Sequence, residues 1–168
     1  MSLKTGVSVE EYLHMTFDGP DREYIDGSVV ERNMGNRTHS LIQARLVEIF
    51  YELRKSHALW AMPELRHRVA SDRFRIPDVA VYRDQPPREE VPTTPPFLAI
   101  EITSPDDRWS EIVAKLAEYD RWGVAHVLLV DPGNRRLFLY SNARLNEVDA
   151  FEIPEFDSRI QADEIFAA

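Results

Sequence analysis

Two acidic residues lie in surroundings that make them candidates for a reactive site. Glu101 stands inside the apolar run 97–102, which is typical of a strand covered on both faces, and Asp78 follows Pro77 at the start of the β-prone run 79–82. An isolated carboxylate is costly to bury, so each of these residues needs a counter-charge or a metal. If the two strands are neighbours, the two side chains together can bind one divalent cation.

A hard cation such as Mg²⁺ matches the chemistry of this pair. Mg²⁺ binds oxygen ligands in octahedral geometry and keeps several waters, so the two carboxylates and the backbone carbonyl of Ile102 make a suitable partial shell. At about 100° per residue, Lys115 falls on the flank of the apolar stripe of the following helix, beside Tyr119. From there an ammonium can orient a water, stabilise its hydroxide form or meet the charge that develops on a phosphate during phosphodiester hydrolysis.

Each of these residues also has a plainer interpretation. Asp78 taken alone is a turn or strand-edge aspartate, and Lys115 taken alone is a solvated helix residue. Glu101 can instead pair with an arginine such as Arg75 in a structural bridge, although buried bridges contribute little to stability. For His39, near the start of a long helix, capping or packing is the first expectation, and a contact with the site or substrate is the second.

The N-terminal half shows local signals for the elements that precede the Asp78 strand. The capping box at 8–11 predicts a short first helix, and the β-prone runs on either side of Asp26-Gly27 predict a hairpin over 22–32. Apolar residues at helical spacing predict a long amphipathic helix over 37–56. The alternation in 59–69 favours a single half-exposed strand, and the proline-rich stretch 84–96 predicts an exposed connection.

The segment that contains Glu101 predicts a βαβ unit. A helix is expected to begin at 104–107, where acidic residues suit the helix dipole, and to end at Gly123. The apolar run 127–130 then forms a second buried strand, parallel to the first if the crossover is of the usual right-handed kind.

The remainder of the chain predicts a return strand and a peripheral tail. A hairpin return through 137–140 is expected, and 146–168 shows only weak strand tendency, typical of a peripheral element. These elements together predict an α/β protein with a mixed β-sheet flanked by helices. We expect residues 1–168 to form a single domain.

The composition limits where the protein acts and what it binds. The 168 residues include no cysteine, which fits a reducing cytoplasm and excludes disulfides and thiolate ligands. No stretch approaches the roughly 20 apolar residues of a membrane span, and the first residues lack the apolar segment of a signal peptide. The net charge of −9 argues against non-specific adhesion to polyphosphate, but a bound cation would reverse the local sign at an acidic site. We therefore expect a cytoplasmic protein without membrane contact.

An ordered set of short motifs resembles a known family. Pro77-Asp78 followed by Glu101-Ile102-Thr103 resembles the signature of the PD-(D/E)XK nuclease superfamily. The wider pattern is similar to the Uma-type family of bacterial restriction endonucleases over about residues 8 to 140. The blocks that carry this likeness are Tyr24-Ile25-Asp26-Gly27, His39, 77–81, 101–105, 115–119, Gly123-Val124 and Val130-Asp131-Pro132.

The resemblance implies a restriction-endonuclease-like core and Mg²⁺-dependent cleavage of nucleic acid, with DNA as the expected substrate and Mn²⁺ able to substitute. Thr103 takes the superfamily's usual lysine position, and Lys115 is the matching position in this family. The resemblance implies that the metal is bound by Asp78, Glu101 and Ile102. It implies a catalytic role for Asp78, Glu101 and Lys115. The residues implied to support the site or to contact substrate are Glu23, His39 and Tyr119.

Two other functions remain open at this point. The acidic charge and Thr103 are compatible with a catalytically inactive nuclease-like fold that serves as a binding or regulatory module. A metal-dependent hydrolase of small phosphate esters is the third reading. Many nucleases of this type work as homodimers, and the apolar return strand at 137–140 is a candidate edge for such an interface.

Overall fold

The computed structural model describes residues 6–167. The helices are α1 Val9–His14, α2 Arg37–His57, α3 Trp109–Trp122 and α4 Ala162–Phe166. The strands are β1 Glu23–Ile25, β2 Ser28–Val30, β3 Leu59–Pro63, β4 His67–Ala70, β5 Arg73–Arg75, β6 Val79–Arg83, β7 Leu98–Ile102, β8 His126–Asp131, β9 Arg136–Ser141, β10 Arg144–Val148, β11 Ala150–Ile153 and β12 Ser158–Gln161. None of these helices is long and apolar enough to cross a membrane.

The central sheet has the strand order β10-β9-β8-β7-β6-β3. Strands β7 and β8 run parallel and are joined by α3, which confirms the predicted βαβ unit. Every other neighbouring pair in this sheet is antiparallel, so the sheet is mixed, as predicted.

The two faces of the central sheet are covered by different helices. Leu46 and Phe50 of α2 pack on one face, and Leu116 and Tyr119 of α3 pack on the other. Side chains alternate along a strand, so β7 presents Ile100 and Ile102 to the α2 face. Residues 99 and 101 therefore face α3, and this alternation brings the Glu101 carboxylate beneath that helix.

A second, antiparallel sheet has the order β2-β1-β5-β4 and contains the predicted hairpin. Tyr12 of α1 lies over it, with its ring centroid 5.0 Å from that of Tyr24, and both rings contact Phe74. The capping box of α1 is present, since Ser8 and Glu11 hydrogen bond reciprocally. The hairpin over 22–32 and the short first helix are both confirmed.

The prediction of one strand over 59–69 is wrong. Strand β3 pairs with β6 in the central sheet, whereas β4 pairs with β5 in the second sheet. Between them Glu64 has a φ of 52°, in the left-handed region, where the chain turns from one sheet to the other. The alternating pattern is real in each half, but it belongs to two separate strands.

The predicted start of α3 is also wrong. Residues 104–107 form a turn in which the Asp107 N–H donates to the Ser104 carbonyl at 3.1 Å, and Asp107 Oδ2 accepts from the Ser104 N–H at 2.6 Å. The helix begins only at Trp109, because the Asp107 carboxylate closes this turn instead of capping the helix. The predicted end at Gly123, which has a φ of 104°, is confirmed.

The C-terminal segment is not peripheral, contrary to the prediction for 146–168. Its apolar side chains lie in the main core against α2 and the central sheet, and they are Phe151, Ile153, Ile160, Ile165 and Phe166. Strand β11 buries three residues and β12 buries one, so neither forms an apolar run long enough to indicate burial from sequence. The expected edge at 137–140 is wrong as well, because β10 pairs along the whole of β9.

Candidate active site

The two predicted carboxylates meet where β6 begins and β7 ends. The antiparallel register pairs Val79 with Ile100, and one further step places Asp78 opposite Glu101. Opposite residues of an antiparallel pair extend to the same face, with Cβ atoms about 4.5–5.5 Å apart. Asp78 Oδ2 also accepts the Ile102 N–H at 2.7 Å, which fixes this carboxylate against the end of β7.

Lys115 and Tyr119 hold the Glu101 carboxylate from above. Lys115 Nζ lies 2.9 Å from Oε1 and 3.0 Å from Oε2 of Glu101. The Tyr119 hydroxyl donates to Oε1 of the same carboxylate at 2.7 Å. Lys115 and Tyr119 are four positions apart on α3, so they lie on the same side of the helix. Lys115 lies at the edge of the apolar stripe, as predicted, and its ammonium reaches the sheet from there.

Helix α2 and the loop before it hold Asp78. His39 Nε2 lies 3.3 Å from Oδ2, and the Arg32 guanidinium lies 3.2 Å from Oδ1. One turn after His39, the Gln43 amide donates to the Asp78 carbonyl at 2.9 Å. Gly35 leaves room for the imidazole, since a Cβ there would stand 2.7 Å from His39 Nδ1. The first expectation for His39, capping or packing alone, is therefore wrong.

Glu23 forms an ion pair with Lys115, and both of its carboxylate oxygens have hydrogen-bonding or ion-pair partners. Its Oε1 contacts Lys115 Nζ at 2.9 Å and accepts the Ile76 N–H at 2.9 Å, while Oε2 contacts Arg75 at 2.9 Å. Arg75 also pairs with Glu118 of α3. The alternative pairing of Arg75 with Glu101 is therefore wrong, because this arginine contacts two other carboxylates.

The pKa values of the buried carboxylates Glu101 and Glu23 shift in opposite directions. Burial raises the pKa of Glu101 to about 7; Lys115 opposes this rise, and the neighbouring charges of Asp78 and Glu23 add to it. Burial alone would also raise the pKa of Glu23, but the Lys115 and Arg75 cations lower it to about 2. Ionisation is thus favoured at Glu23 and disfavoured at Glu101.

The pKa values of the two basic residues Lys115 and His39 are raised. Despite burial, the carboxylates of Glu101, Glu23 and Asp78 hold the pKa of Lys115 above its usual value. The hydrogen bond to Asp78 raises the pKa of His39 against the effect of burial, and His39 in turn lowers the pKa of Asp78. Lys115 is therefore an ammonium at neutral pH, with a positive charge and N–H donors in the cleft.

These groups line one cleft of about 420 Å³. The loop 33–36 and the turn 104–107 border its mouth, and the Asn33 amide donates to Asp107 Oδ1 at 2.5 Å between them. Glu23, His39, Asp78, Glu101 and Lys115 all line it, and Tyr119 lies behind Glu101. The structure thus brings together every side chain that the sequence proposed for the site.

The donor set fits a divalent ion that takes few protein ligands. Among residues 6–167, no three His, Cys, Asp or Glu side chains are grouped to hold a metal, so any ion would depend on the Asp78–Glu101 pair. Mg²⁺ tolerates such a set, because it keeps waters and completes its shell with substrate phosphate. Burial is the main reason why the pKa of Glu101 is raised, and a bound cation would favour its ionised form. A ligand role for the Ile102 carbonyl stays a prediction.

Sequence reasoning missed four polar residues that surround the site. Gln43 had a usable signal, since it lies four positions after His39 on the same side of α2. Glu118 follows Lys115 by one helical turn, but nothing local links it to Arg75. Arg32 lies in a loop and Glu64 in a turn, and neither segment has a periodic pattern. In the fold, Arg32 Nη1 lies 3.4 Å from Glu64 Oε2.

In the metal-free protein, Glu101 is expected to make stability fall as pH rises. Its folded-state pKa of about 7 lies above the ordinary 4.5, so its contribution is fully present below pH 4.5 and is lost as pH rises through about 7. Urea unfolding in EDTA measures this effect between pH 5 and pH 7. The free energy of unfolding of the wild type should fall, relative to that of Glu101→Gln, by up to about 1 kcal/mol per pH unit. The exposed Glu52→Gln is the control, and a difference that does not change with pH contradicts the assignment.

Fold and site together define a chain of the restriction-endonuclease-like class. A solved structure with the same fold is described as a putative nuclease belonging to DUF820 from Anabaena variabilis ATCC 29413. It aligns with a TM-score of 0.84 and 24% sequence identity, over 96% of this chain and 98% of that chain. The model of the Uma2 family, described as putative restriction endonuclease, matches residues 9–167, and the chain belongs to this family. A comparison with curated proteins gave no match.

Proposed function

We propose that this protein is a Mg²⁺-dependent endonuclease of the PD-(D/E)XK type that hydrolyses phosphodiester bonds in DNA, with Mn²⁺ able to substitute. The observation that carries the proposal is the convergence of Asp78, Glu101 and Lys115 in one cleft, with Lys115 Nζ 2.9 Å from Glu101. Membership of a family described as restriction endonucleases supports the choice of a nucleic-acid substrate.

Each residue has a distinct part in the proposed reaction. Asp78 and Glu101 would hold the ion, which, once bound, supplies Lewis-acid activation of a water and of the scissile phosphate. Lys115, kept protonated by its neighbours, donates hydrogen bonds that orient the attacking water and stabilise charge on the phosphate. Tyr119 and His39 hold the two carboxylates in place, and Glu23 anchors Lys115.

The acidic composition is compatible with this substrate. The net charge of −9 disfavours DNA over most of the surface, whereas a divalent ion between Asp78 and Glu101 would make the cleft locally attractive to a phosphate. We therefore expect DNA binding to require the ion. We also propose that residues 1–168 act as one domain in the cytoplasm, which fits the cysteine-free composition.

Incubation of supercoiled plasmid with purified protein tests the proposal. Nicked or linear DNA should appear with Mg²⁺ or Mn²⁺ and should not appear in EDTA. Calorimetric titration with Mn²⁺ should show one site that is lost in Asp78→Asn. Cleavage in EDTA, or no uptake of Mn²⁺, contradicts the proposal; the second result favours the non-catalytic binding module. Turnover of nucleotides without cleavage of polymers favours the phosphate-ester hydrolase.

A further inference from the structure

Arg32 lines the cleft, has no part in the proposed reaction and contacts a proposed metal ligand, Asp78. Arg32 follows β2, its side chain is only 12% exposed, and its ion-pair partners are Asp78 and Glu64. Its Nη2 lies 3.2 Å from Asp78 Oδ1, and its Nη1 lies 3.4 Å from Glu64 Oε2. The guanidinium thus bridges two carboxylates, with one nitrogen for each.

The oxygen that Arg32 contacts is the one that a metal would need. Asp78 Oδ2 already accepts the Ile102 N–H at 2.7 Å and lies 3.3 Å from His39. Oδ1 has Arg32 as its only side-chain partner among the described residues. A divalent ion that uses Asp78 must therefore take Oδ1, where it would stand beside a positive guanidinium. Like charges repel at such short distances in a partly buried site, so an ion bound at Oδ1 would weaken the contact between Arg32 and Asp78.

Arg32 is held less tightly than the other buried arginine of the cleft. Its two contacts are long, and Glu64, which provides one of them, is 45% exposed. Arg75, by comparison, contacts Glu23 at 2.9 Å and lies even closer to Glu118. Arg32 also belongs to the segment 31–36, which forms neither helix nor strand, so its backbone is not fixed by a sheet.

We propose that Arg32 is a displaceable counter-ion, which neutralises Asp78 until a divalent cation takes Oδ1 and then binds a phosphate of the nucleic acid in the cleft. This inference rests on the proposed function. A guanidinium presents paired N–H donors that match two phosphate oxygens, so a displaced Arg32 has a better partner in the substrate than in Glu64. Binding of the ion thus releases the group that contacts the next ligand.

Titration with Mn²⁺ alone tests the competition without reference to activity. Arg32→Met is expected to bind Mn²⁺ at least about tenfold more tightly than wild type, with Arg32→Lys between them. Arg22→Met is the matched control, because Arg22 flanks the same hairpin but pairs with the exposed Glu31, and its affinity should equal that of wild type. Unchanged or weaker Mn²⁺ binding by Arg32→Met overturns the inference, and Arg32→Lys supplies the same comparison if the Met variant does not fold.

The Asp78→Asn variant separates this inference from the proposed function. If Mn²⁺ binds and its binding depends on Asp78 but not on Arg32, only the inference fails. If Mn²⁺ does not bind, or binds equally well to Asp78→Asn, the metal site fails and the inference fails with it.

A binding assay with a DNA duplex tests the second step. With Ca²⁺, an ion that also takes oxygen ligands, Arg32→Met should bind the duplex about tenfold more weakly than wild type, and the salt dependence should fall by about one phosphate contact. Without a divalent ion, the two proteins should differ by less than about twofold, because Arg32 is then held by Asp78. An equal loss under both conditions, or no loss with Ca²⁺, overturns the release step.

Discussion

Glu101→Gln and Asp78→Asn should each reduce cleavage of DNA by about a thousandfold or more, corresponding to roughly 4 kcal/mol of lost transition-state stabilisation. Each change keeps the shape of the side chain but removes a charged oxygen from the carboxylate pair that lies where β6 begins and β7 ends. Among residues 6–167, no group of three or more His, Cys, Asp or Glu side chains is arranged to hold a metal in their place.

The measurement is the initial rate of plasmid nicking in Mn²⁺, with unfolding followed in parallel. Asp120→Asn, an exposed change on α3, is the control and should cleave at the wild-type rate. Both site variants should remain folded, and Glu101→Gln should be at least as stable as wild type at pH 8, since it removes a carboxylate that is costly to ionise. Cleavage that survives in both variants would show that another site or a contaminant performs it.

Lys115→Met should lose both activity and stability. Its ammonium lies between Glu101 and Glu23, so its removal leaves two buried carboxylates without their shared counter-charge. Breaking a buried pair in this way costs about 3 kcal/mol or more. We expect cleavage to fall by about a hundredfold or more as well, because the donor that stabilises charge on the phosphate is absent.

Urea unfolding measures the loss of stability in Lys115→Met, and the rate of plasmid nicking measures the loss of activity. Lys55→Met is the matched control, since Lys55 is a solvated lysine on α2 and its loss should change neither quantity measurably. The double variant Lys115→Met with Glu101→Gln should recover much of the stability but none of the activity, because it removes the stranded charge without restoring the donor. If Lys115→Met is as stable as wild type, the ammonium is not the counter-charge that the contacts indicate.

The central sheet and its helices were predictable because their signals are local. The apolar runs of β7 and β8, the helical spacing in α2 and α3 and the turn residues of the hairpin each appear within a few positions of the chain. The C-terminal strands were not predictable in this way. Phe151 and Ile160 are buried by contacts with distant residues, and short strands leave no periodic pattern from which burial can be inferred.

The residues of the candidate site also differ in whether the local sequence indicates them. Asp78, Glu101 and Lys115 were predicted because a carboxylate inside an apolar strand, or a lysine beside an apolar helix stripe, is unusual where it stands. Arg32 and Glu118 have no such anomaly, since a charged residue in a loop or on a helix is ordinary by sequence. Their roles depend on tertiary contacts that join residues more than forty positions apart.

The position of Lys115 affects how proteins with this fold can be found by sequence searches of genomes. Thr103, two residues beyond Glu101, donates its hydroxyl to Asp131, while the ammonium reaches the acidic pair from the neighbouring helix. Under the proposed function, the charge that a lysine two residues after Glu101 would supply comes from helix α3 instead. A scan that demands a lysine at fixed linear spacing would discard this chain as degenerate, whereas a search by three-dimensional template would retain it.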